Sequence, residues 1–184
     1  GVGVSCVNAL SKHMTTQVFR NGKIFQQEYS CGHPLYSVKE VGMAEISGTK
    51  QTFWPDESIF TVTEYKYDIL EARMRELAYL NKGITISLTD RRQKDEEGNF
   101  KKEVFHSDEG VKEFVRFLNR NNDSLIDDVI YLNTEKNGTP IECAIMYNTG
   151  YRESLHSYVN NINTIEGGTH EAGFRSALTR VLKK

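Results

Sequence analysis

The sequence predicts an α+β protein in which helices alternate with β-hairpins. Two Asn-Gly pairs, Asn21-Gly22 and Asn137-Gly138, each separate two extended apolar runs, which is the pattern of a two-residue hairpin turn. Between them, apolar residues from Ile69 to Leu80 recur at helical spacing. The alternation of these two patterns along the chain favours the α+β class.

In the first half of the sequence, glycines, prolines and periodicity set the expected order of elements. Thr61 and Glu64 have the spacing of a capping box before a long helix, and Gly83 follows that helix. Residues 30–47 predict an irregular connection with one brief strand. The other predicted elements are a helix from Val4 to Leu10, a hairpin within 15–29, a strand at 48–55, the long helix at about 64–81 and a strand at 84–89.

The second half begins with a charged segment, residues 90–99, which has no apolar residue and predicts a solvated hairpin tip rather than a binding surface. After the returning strand, Ser107 has the chemistry of an N-cap for a helix, and we expect a domain boundary near Glu109. The domains are then 1–109 and 110–184. The elements expected after the boundary helix are a hairpin around residue 137, a third strand within 151–161 and a final helix within 169–184.

Composition excludes several classes of protein. The formal net charge is −2, so no field of the whole chain draws it onto nucleic acid, and any DNA contact must be local or belong to a partner. No apolar run approaches the roughly 18 to 20 residues of a membrane span, and no leader pattern is present at the N-terminus. We therefore expect a cytoplasmic protein with no membrane partner.

The cysteines and histidines do not have the spacing of a metal site. Cys6, Cys31 and Cys143 are far apart, form no CxxC motif and lie beside apolar or small residues, so we expect buried free thiols. The five histidines show no HExxH motif or paired spacing. No metal site is expected within this chain.

Two glycine-containing stretches stand out. The first, GVGVSCVNALS at residues 1–11, brings unscreened backbone amides to the start of a helix, which is a suitable place for an anion, although such glycines more often serve a tight turn. The second, NNINTIEGGTHEAGF at residues 160–174, combines Asn, Thr and paired glycines. By itself it indicates only an ordered turn before a helix.

Four stretches in order resemble the family of DNA gyrase B subunits, the ATPase subunits of bacterial type IIA topoisomerases. They are the two stretches above together with GTKQTFWPD and RMRELAYLNKGITISLTDRR, and the resemblance extends over essentially the whole chain. One alternative is the paralogous B subunit of topoisomerase IV. A second alternative, which applies to this chain alone, is a folded scaffold without catalytic activity. A GHKL chaperone or mismatch-repair clamp is a third, which the NNINTIEGGTH stretch disfavours.

The resemblance implies that residues 1–109 are the C-terminal part of a GHKL ATPase α/β sandwich. Residues 110–184 would be the N-terminal part of a transducer domain that resembles ribosomal protein S5. It also implies that the catalytic glutamate, the magnesium-binding asparagine and the adenine-reading aspartate lie upstream of Gly1. We therefore expect no catalytic residue or metal ligand in this chain, and no ATP hydrolysis by it alone; Glu45, Glu64 and His170 are assigned structural or surface roles.

The same resemblance implies two overlapping sets of binding residues. Thr49 would join the adenine-side network through a water, and Arg20 would lie at the pocket rim against coumarin inhibitors. Without the family, Thr49 is equally well a buried strand hydroxyl, and Arg20 is a residue that solvates a turn. The residues expected to bind nucleotide are Gly1, Val2, Gly3, Val4, Ser5 and Thr49, and those expected to bind inhibitor are Arg20, Gly48 and Thr49.

For the whole protein, the resemblance implies that ATP, with Mg²⁺, drives dimerisation of two B subunits and passage of a DNA segment. Two gyrase A subunits would complete an A2B2 assembly that supercoils DNA negatively, the reaction that coumarin antibiotics target. The Gly167-Gly168 turn would support the relay of the nucleotide state, and we expect Gly168 to require a positive φ.

Overall fold

The computed structural model describes residues 2–183, so Gly1 and Lys184 lie outside the described residues. The chain divides into two compact units, Gly1–Tyr65 and Lys66–Lys184. Helices and antiparallel strands are mixed along the described chain, which confirms the α+β class. The predicted domain boundary near Glu109 lies within the second unit and stays a prediction.

Unit 1 is a short helix followed by one antiparallel sheet. Its elements are α1 (Gly3–Ala9), β1 (Ser11–Arg20), β2 (Lys23–Ser30), β3 (His33–Pro34), β4 (Lys39–Met43) and β5 (Gly48–Pro55). Strand β1 lies between β2 and β5, while β3 and β4 pair one after the other with the opposite edge of β2. Asn21 and Gly22 have φ values of 55° and 76°, which confirms the predicted hairpin turn. The connection at 30–47 contains two strands, β3 and β4, rather than one.

Hydrogen bonds fix α1 at one end of this sheet. The Ser11 hydroxyl donates to the Val7 carbonyl at 2.6 Å, which joins the start of β1 to the last turn of α1. The Asp56 amide, just after β5, donates to the Leu10 carbonyl at 3.1 Å. Ser11 and Met14 are each only 2% exposed, so the first residues of β1 form the buried centre of the unit.

Unit 2 contains three helices and three separate β-hairpins among the described residues. Its elements are α2 (Tyr67–Leu80), β6 (Thr85–Lys94), β7 (Phe100–His106), α3 (Val111–Asn119), β8 (Ile130–Lys136), β9 (Thr139–Ile145), β10 (Tyr158–Val159), β11 (Ile162–Asn163) and α4 (Thr169–Leu182). The pairs are β6 with β7, β8 with β9 and β10 with β11. The predicted third strand is therefore only two residues long and pairs with β11 instead of extending the β8–β9 hairpin.

Residues with positive φ close these hairpins. Asn137 and Gly138 have φ values of 53° and 75°, as the sequence predicts. Asn160 and Asn161 join β10 to β11 with φ values of 49° and 66°. Asparagine tolerates this left-handed conformation better than other residues with a side chain, because its short amide bonds locally. The charged segment 90–99 is exposed apart from its first residue, and it forms the end of β6 and the β6–β7 turn, which confirms a hairpin tip.

The predicted capping box of the long helix is wrong. Helix α2 begins at Tyr67, with Lys66 as its N-cap residue in an extended conformation, and no side chain caps this end. Thr61 and Glu64 lie in irregular backbone before the helix. The spacing of Thr and Glu is a local signal, and here the chain turns into helix three residues after Glu64.

Polar side chains close two other helix ends in unit 2. The Asn81 side-chain amide donates to the Leu77 carbonyl at 2.8 Å, so Asn81 caps the C-terminus of α2. The Ser107 hydroxyl accepts the Gly110 amide at 2.8 Å, just before α3 begins at Val111. Ser107 therefore supplies the capping oxygen that the sequence predicts, although the N-cap residue of α3 is Gly110.

An aromatic cluster joins α2, α3 and the segment around β10. Phe114 of α3 is 8% exposed, and its ring stacks on Tyr79 of α2 with centroids 5.2 Å apart. The rings of His156 and Tyr158 lie 5.9 Å and 6.4 Å from that of Phe114. We call Phe114, Tyr79, His156 and Tyr158 the Phe114 cluster. Such aromatic pairs stabilise packing beyond their buried area, so this cluster is the centre of unit 2.

Two of the three cysteines contradict the predicted burial. Cys6, on α1, and Cys31, in the turn after β2, are exposed, and only Cys143 is half-buried. All three are free thiols. Burial raises the pKa of the Cys143 thiol. The apolar neighbours of Cys6 and Cys31 in the sequence do not bury them because α1 is short and Cys31 lies at a turn.

We expect Phe114→Ala to destabilise unit 2 strongly, because it removes the α3 ring that contacts α2 and the segment around β10 and leaves a cavity. The expected loss in free energy of unfolding is about 3–5 kcal/mol. Phe114→Leu, which keeps most of the apolar volume, should lose clearly less. Urea denaturation followed by far-UV circular dichroism measures both variants, and equal midpoints for Phe114→Ala and the unmodified chain would contradict the central role of this ring.

Candidate functional site

The first turn of α1 presents open backbone amides. Val2 is the N-cap residue, and the first intrahelical bond runs from the Cys6 amide to the Val2 carbonyl at 3.0 Å. The amides before Cys6 therefore have no acceptor within the helix. They belong to four of the predicted nucleotide-binding residues: Val2, Gly3, Val4 and Ser5.

The surroundings of this turn suit an anion. Val2 is 77% exposed, and no acidic residue lies in the first turn. A Cβ placed on Gly3 would meet no atom within 4 Å, so the space beside its backbone is open. The amides and the helix dipole together give this end a partial positive charge. The predicted role of Gly1 falls outside the described residues.

The predicted inhibitor-binding residues meet at the far end of the sheet of unit 1. Thr49 on β5 lies opposite Val18 on β1, and Gly48 lies opposite Phe19. Arg20 follows two residues after Val18, so Arg20 and Thr49 are diagonal neighbours on the same face of the sheet, roughly 7–8 Å apart. Arg20, Gly48 and Thr49 are all exposed. The alternative of a buried strand hydroxyl for Thr49 is therefore wrong.

The two groups of predicted residues lie apart. Val18, opposite Thr49, is seven residues along β1 from Ser11, which is roughly 23 Å at the rise of a strand. Helix α1 ends beside Ser11 and has seven residues, so it is only about 10 Å long. The structure thus brings Arg20, Gly48 and Thr49 together, and it keeps the first turn of α1 out of direct contact with Thr49.

In unit 2, hydrogen bonds tie the loop of the second glycine stretch to α4. The Ser157 hydroxyl donates to the Glu171 carboxylate at 2.9 Å and lies 2.6 Å from the Thr164 hydroxyl. The Thr164 hydroxyl is 3.2 Å from the ring of His170. We call Ser157, Thr164, His170 and Glu171 the Ser157 network. The sequence did not predict this network, and the available signal was Glu171 in the first turn of a helix that follows a turn beginning with Thr164.

Hydrogen bonds from Ser157 and Arg175 favour the ionised form of Glu171. The hydrogen bond from Ser157, followed by the one from Arg175 at 3.1 Å, holds the pKa of the Glu171 carboxyl below its usual value. His170 is exposed and contacts Thr164, which suits the surface role assigned to it. These contacts order the start of α4.

The expected positive φ at Gly168 is wrong, and the structure places it one residue earlier. Gly167 has φ 78°, and its amide donates to the Thr164 carbonyl at 2.8 Å, which closes a tight turn. Gly168 has φ 169°, extended backbone that any residue adopts, and is the N-cap residue of α4. A Cβ on Gly168 would lie 2.7 Å from the ring of His170, the end of a movable side chain.

Residues 2–183 contain no helix that is long and apolar enough to cross a membrane, and the longest described helices, α2 and α4, have 14 residues each. Within the same residues, no three His, Cys, Asp or Glu side chains are grouped so that they could hold a metal ion. The described residues therefore supply no such ligand cluster for Mg²⁺.

We expect Gly167→Ala to destabilise the chain more than Gly168→Ala, because only the first forces an alanine into the left-handed region. The expected loss for Gly167→Ala is about 1–2 kcal/mol in free energy of unfolding. Urea denaturation of the two variants side by side gives the comparison. A larger loss for Gly168→Ala would show that the contact with His170, and not the backbone, limits this turn.

We expect Ser157→Ala to raise the pKa of Glu171, because its largest stabilising hydrogen bond is removed. Since the folded pKa is depressed, the stabilisation from Glu171 is present above the pKa of the unfolded chain and is lost as the pH falls through the folded pKa. Carbon-13 NMR of the Glu171 carboxyl measures the shift, and Thr179→Ala, an exposed change on the same helix, is the control. An unchanged Glu171 titration in Ser157→Ala would exclude Ser157 as the cause.

Sequence comparison finds relatives along the whole chain. The profile of the family described as DNA gyrase B matches residues 110–184. The DNA gyrase B subunit of Cytophaga hutchinsonii is 55% identical over 183 residues, covering 100% of this chain and 38% of that protein. The DNA gyrase B subunit of Staphylococcus aureus is 48% identical over 183 residues, covering 99% of this chain and 28% of the relative. The chain thus spans well under half the length of these relatives.

Solved structures give the same family. The 43K ATPase domain of Thermus thermophilus gyrase B, in complex with an aminocoumarin, matches with a TM-score of 0.84 and 34% identity over 100% of this chain and 49% of that one. The B subunit of Myxococcus xanthus DNA gyrase has the same fold at 23% identity, with a TM-score of 0.81 over 92% of this chain and 48% of that one. Together these matches show that the chain is similar, over its whole length, to part of the DNA gyrase B protein.

Proposed function

We propose that this chain is part of the ATP-binding subunit of a DNA gyrase, which couples ATP-driven dimerisation to DNA strand passage and negative supercoiling. The observation that carries the proposal is the match of the whole chain, in fold and at 34% identity, to the ATPase domain of Thermus thermophilus gyrase B. The relatives named above are gyrase B subunits, which favours gyrase over topoisomerase IV.

The nucleotide would lie along unit 1 with its triphosphate at the first turn of α1. The amides of Val2, Gly3, Val4 and Ser5 fit an anion because they lack helical acceptors and belong to exposed residues. Thr49 would serve the adenine side through a water. The distance between these two groups supports an extended ligand, since no compact ligand would contact both.

ATP hydrolysis needs a positioned water and neutralisation of the phosphate charge by Mg²⁺. The described chain is proposed to contribute the positioning of the triphosphate, because the open amides at the first turn of α1 suit an anion. The catalytic base and the metal ligands are proposed to come from other parts of the gyrase B protein. Residues 1–109 would belong to the ATPase domain and residues 110–184 to the transducer domain.

Coumarin inhibitors would contact Arg20, Gly48 and Thr49. These residues are exposed and meet at one end of the sheet, with Arg20 and Thr49 on the same face. The guanidinium of Arg20 is suited to hydrogen bonds with oxygen-rich ring systems because it offers several donors in one plane. The solved Thermus thermophilus relative is a complex with an aminocoumarin, which supports this assignment.

The partners follow from the family. Two B subunits would associate when ATP binds, and two A subunits would complete the A2B2 enzyme that holds DNA. The net charge of −2 gives the chain no general attraction to DNA, so its DNA contacts would be made with the help of the gyrase A protein. A protein that acts on the bacterial chromosome would work in the cytoplasm.

We expect Thr49→Ala to weaken binding of a non-hydrolysable ATP analogue by about fivefold, which corresponds to the loss of one hydrogen bond of about 1 kcal/mol. Arg20→Ala should weaken aminocoumarin binding by about tenfold or more, because a charged donor is lost, and leave the analogue unaffected. Thr49→Ser, which keeps the hydroxyl, is the matched control.

Isothermal titration calorimetry of the intact gyrase B protein measures the affinity of each variant for the ATP analogue and for the aminocoumarin. Equal losses of analogue and aminocoumarin binding in Arg20→Ala would contradict the division of roles. Reconstitution with the cognate gyrase A protein then tests the reaction: ATP-dependent negative supercoiling supports gyrase, whereas decatenation without supercoiling would assign the chain to topoisomerase IV.

A further inference from the structure

The Asn160-Asn161 turn of the β10–β11 hairpin is bonded to helix α2. Arg73 on α2 donates from Nη2 to the carbonyl of Asn161 at 2.9 Å, and the side-chain amide of Asn161 donates to Oδ1 of Asn81 at 2.8 Å. These partners are 88 and 80 residues apart in the sequence. A hairpin turn of two residues rarely needs such distant bonds to form, so they position the hairpin rather than close it.

The side chains on α2 that hold the turn are themselves fixed. Asn81 caps the C-terminus of α2 through Leu77, which leaves its Oδ1 free to accept from Asn161. Arg73 pairs with Glu76 through one guanidinium nitrogen and reaches Asn161 through another. A planar guanidinium can donate to two acceptors in fixed directions. A lysine ammonium, on a flexible side chain, would hold these two acceptors in place less firmly.

Packing of Tyr158 adds to this contact. Tyr158 is half-buried, and its ring belongs to the Phe114 cluster, 6.4 Å from Phe114. Burial, followed by the nearby carboxylate of Glu76, raises the pKa of Tyr158 to about 12, so it stays a neutral phenol at physiological pH. The hairpin thus has an apolar attachment to α3, through Phe114, and a polar attachment to α2.

The other end of the same hairpin is attached to α4. Ser157 directly precedes β10 and Thr164 directly follows β11, and the Thr164 amide donates to the Ser157 carbonyl at 2.9 Å. Both hydroxyls belong to the Ser157 network, which ends on Glu171 in the first turn of α4. The hairpin therefore has its turn bonded to α2 and its open end bonded to α4.

We propose that the β10–β11 hairpin is a coupling strut, an element bonded to both α2 and α4 through which the position of one helix affects the other. Asn161, Asn81 and Arg73 are then positioning residues, and they set how much DNA supercoiling each ATP hydrolysed produces. The inference rests on the proposed function, in which α2 belongs to the nucleotide-binding part and α4 to the part that relays its state. An element such as this hairpin, bonded to a different helix at each end, can link the conformations of the two helices.

The turn itself offers a matched pair of variants. Asn160 and Asn161 are adjacent and both left-handed, but Asn160 is exposed whereas Asn161 is half-buried and bonded to α2. Glycine adopts the left-handed conformation without strain. Asn161→Gly therefore removes the side-chain bond to Asn81 while the turn is kept, and Asn160→Gly makes the same chemical change without loss of that bond.

The experiment uses the complete A2B2 enzyme that carries either variant. One measurement is hydrogen exchange of the amides at the C-terminus of α2 and in the first turn of α4, which does not depend on activity. The other is the number of superhelical turns introduced per ATP hydrolysed, with the affinity for a non-hydrolysable ATP analogue as a check on the nucleotide site. Arg73→Lys is the second variant.

For Asn161→Gly we expect faster exchange at both helix ends and a decrease of about twofold or more in superhelical turns per ATP, with analogue affinity unchanged. Arg73→Lys should act in the same direction, and Asn160→Gly should resemble the unmodified enzyme. If Asn161→Gly lowers the rates of ATP hydrolysis and of supercoiling equally, so that their ratio is unchanged, the hairpin only stabilises the fold and the inference is overturned. An unmodified enzyme without ATP-dependent supercoiling would instead contradict the proposed function.

Discussion

The packing of Phe114, on α3, against α2 and the segment around β10 is the constraint on which unit 2 depends. Its ring stacks on Tyr79 of α2 and lies close to His156 and Tyr158, so one side chain fixes the relation of three elements that are distant in sequence. The hairpins of this unit are only two-stranded and would be marginal alone. The bonds of Asn161 to α2 can form because the Phe114 cluster holds the β10 segment beside that helix.

Unit 1, which carries the residues proposed to bind nucleotide, is a short helix at one end of an antiparallel sheet. Its sheet is long enough to keep the open amides of α1 and the exposed Thr49 at separate places, and the hydrogen bond from Ser11 fixes α1 at one end. The partial positive charge at the first turn of α1 comes from the backbone and not from side chains, so this turn suits an anion although the net charge of the chain is −2. An extended nucleotide is the ligand chemistry that agrees with both features.

Local signals in the sequence predicted much of this fold, and contacts between distant residues account for what they missed. The Asn-Gly turns form as predicted because backbone conformation at two residues decides them. The predicted burial of Cys6 and Cys31 was wrong because burial depends on which elements cover a residue. The positive φ falls on Gly167 and not Gly168, since the hydrogen bond to Thr164 selects which of two adjacent glycines turns. The contact of Asn161 with Asn81 leaves no local trace in the sequence.

The candidate site was predictable in part. The chemistry of residues 1–5 follows from glycines before a helix, whereas the roles of Arg20 and Thr49 came from a family resemblance and not from their spacing. The most direct measurement of the nucleotide site is a map of backbone amide shifts in the intact gyrase B protein, by nitrogen-15 NMR, during titration with a non-hydrolysable ATP analogue. Saturable shifts at Gly3, Val4, Ser5 and Thr49, with none at Glu96 on the exposed hairpin tip, are the predicted result. Saturable binding that leaves the first turn of α1 unshifted would contradict it.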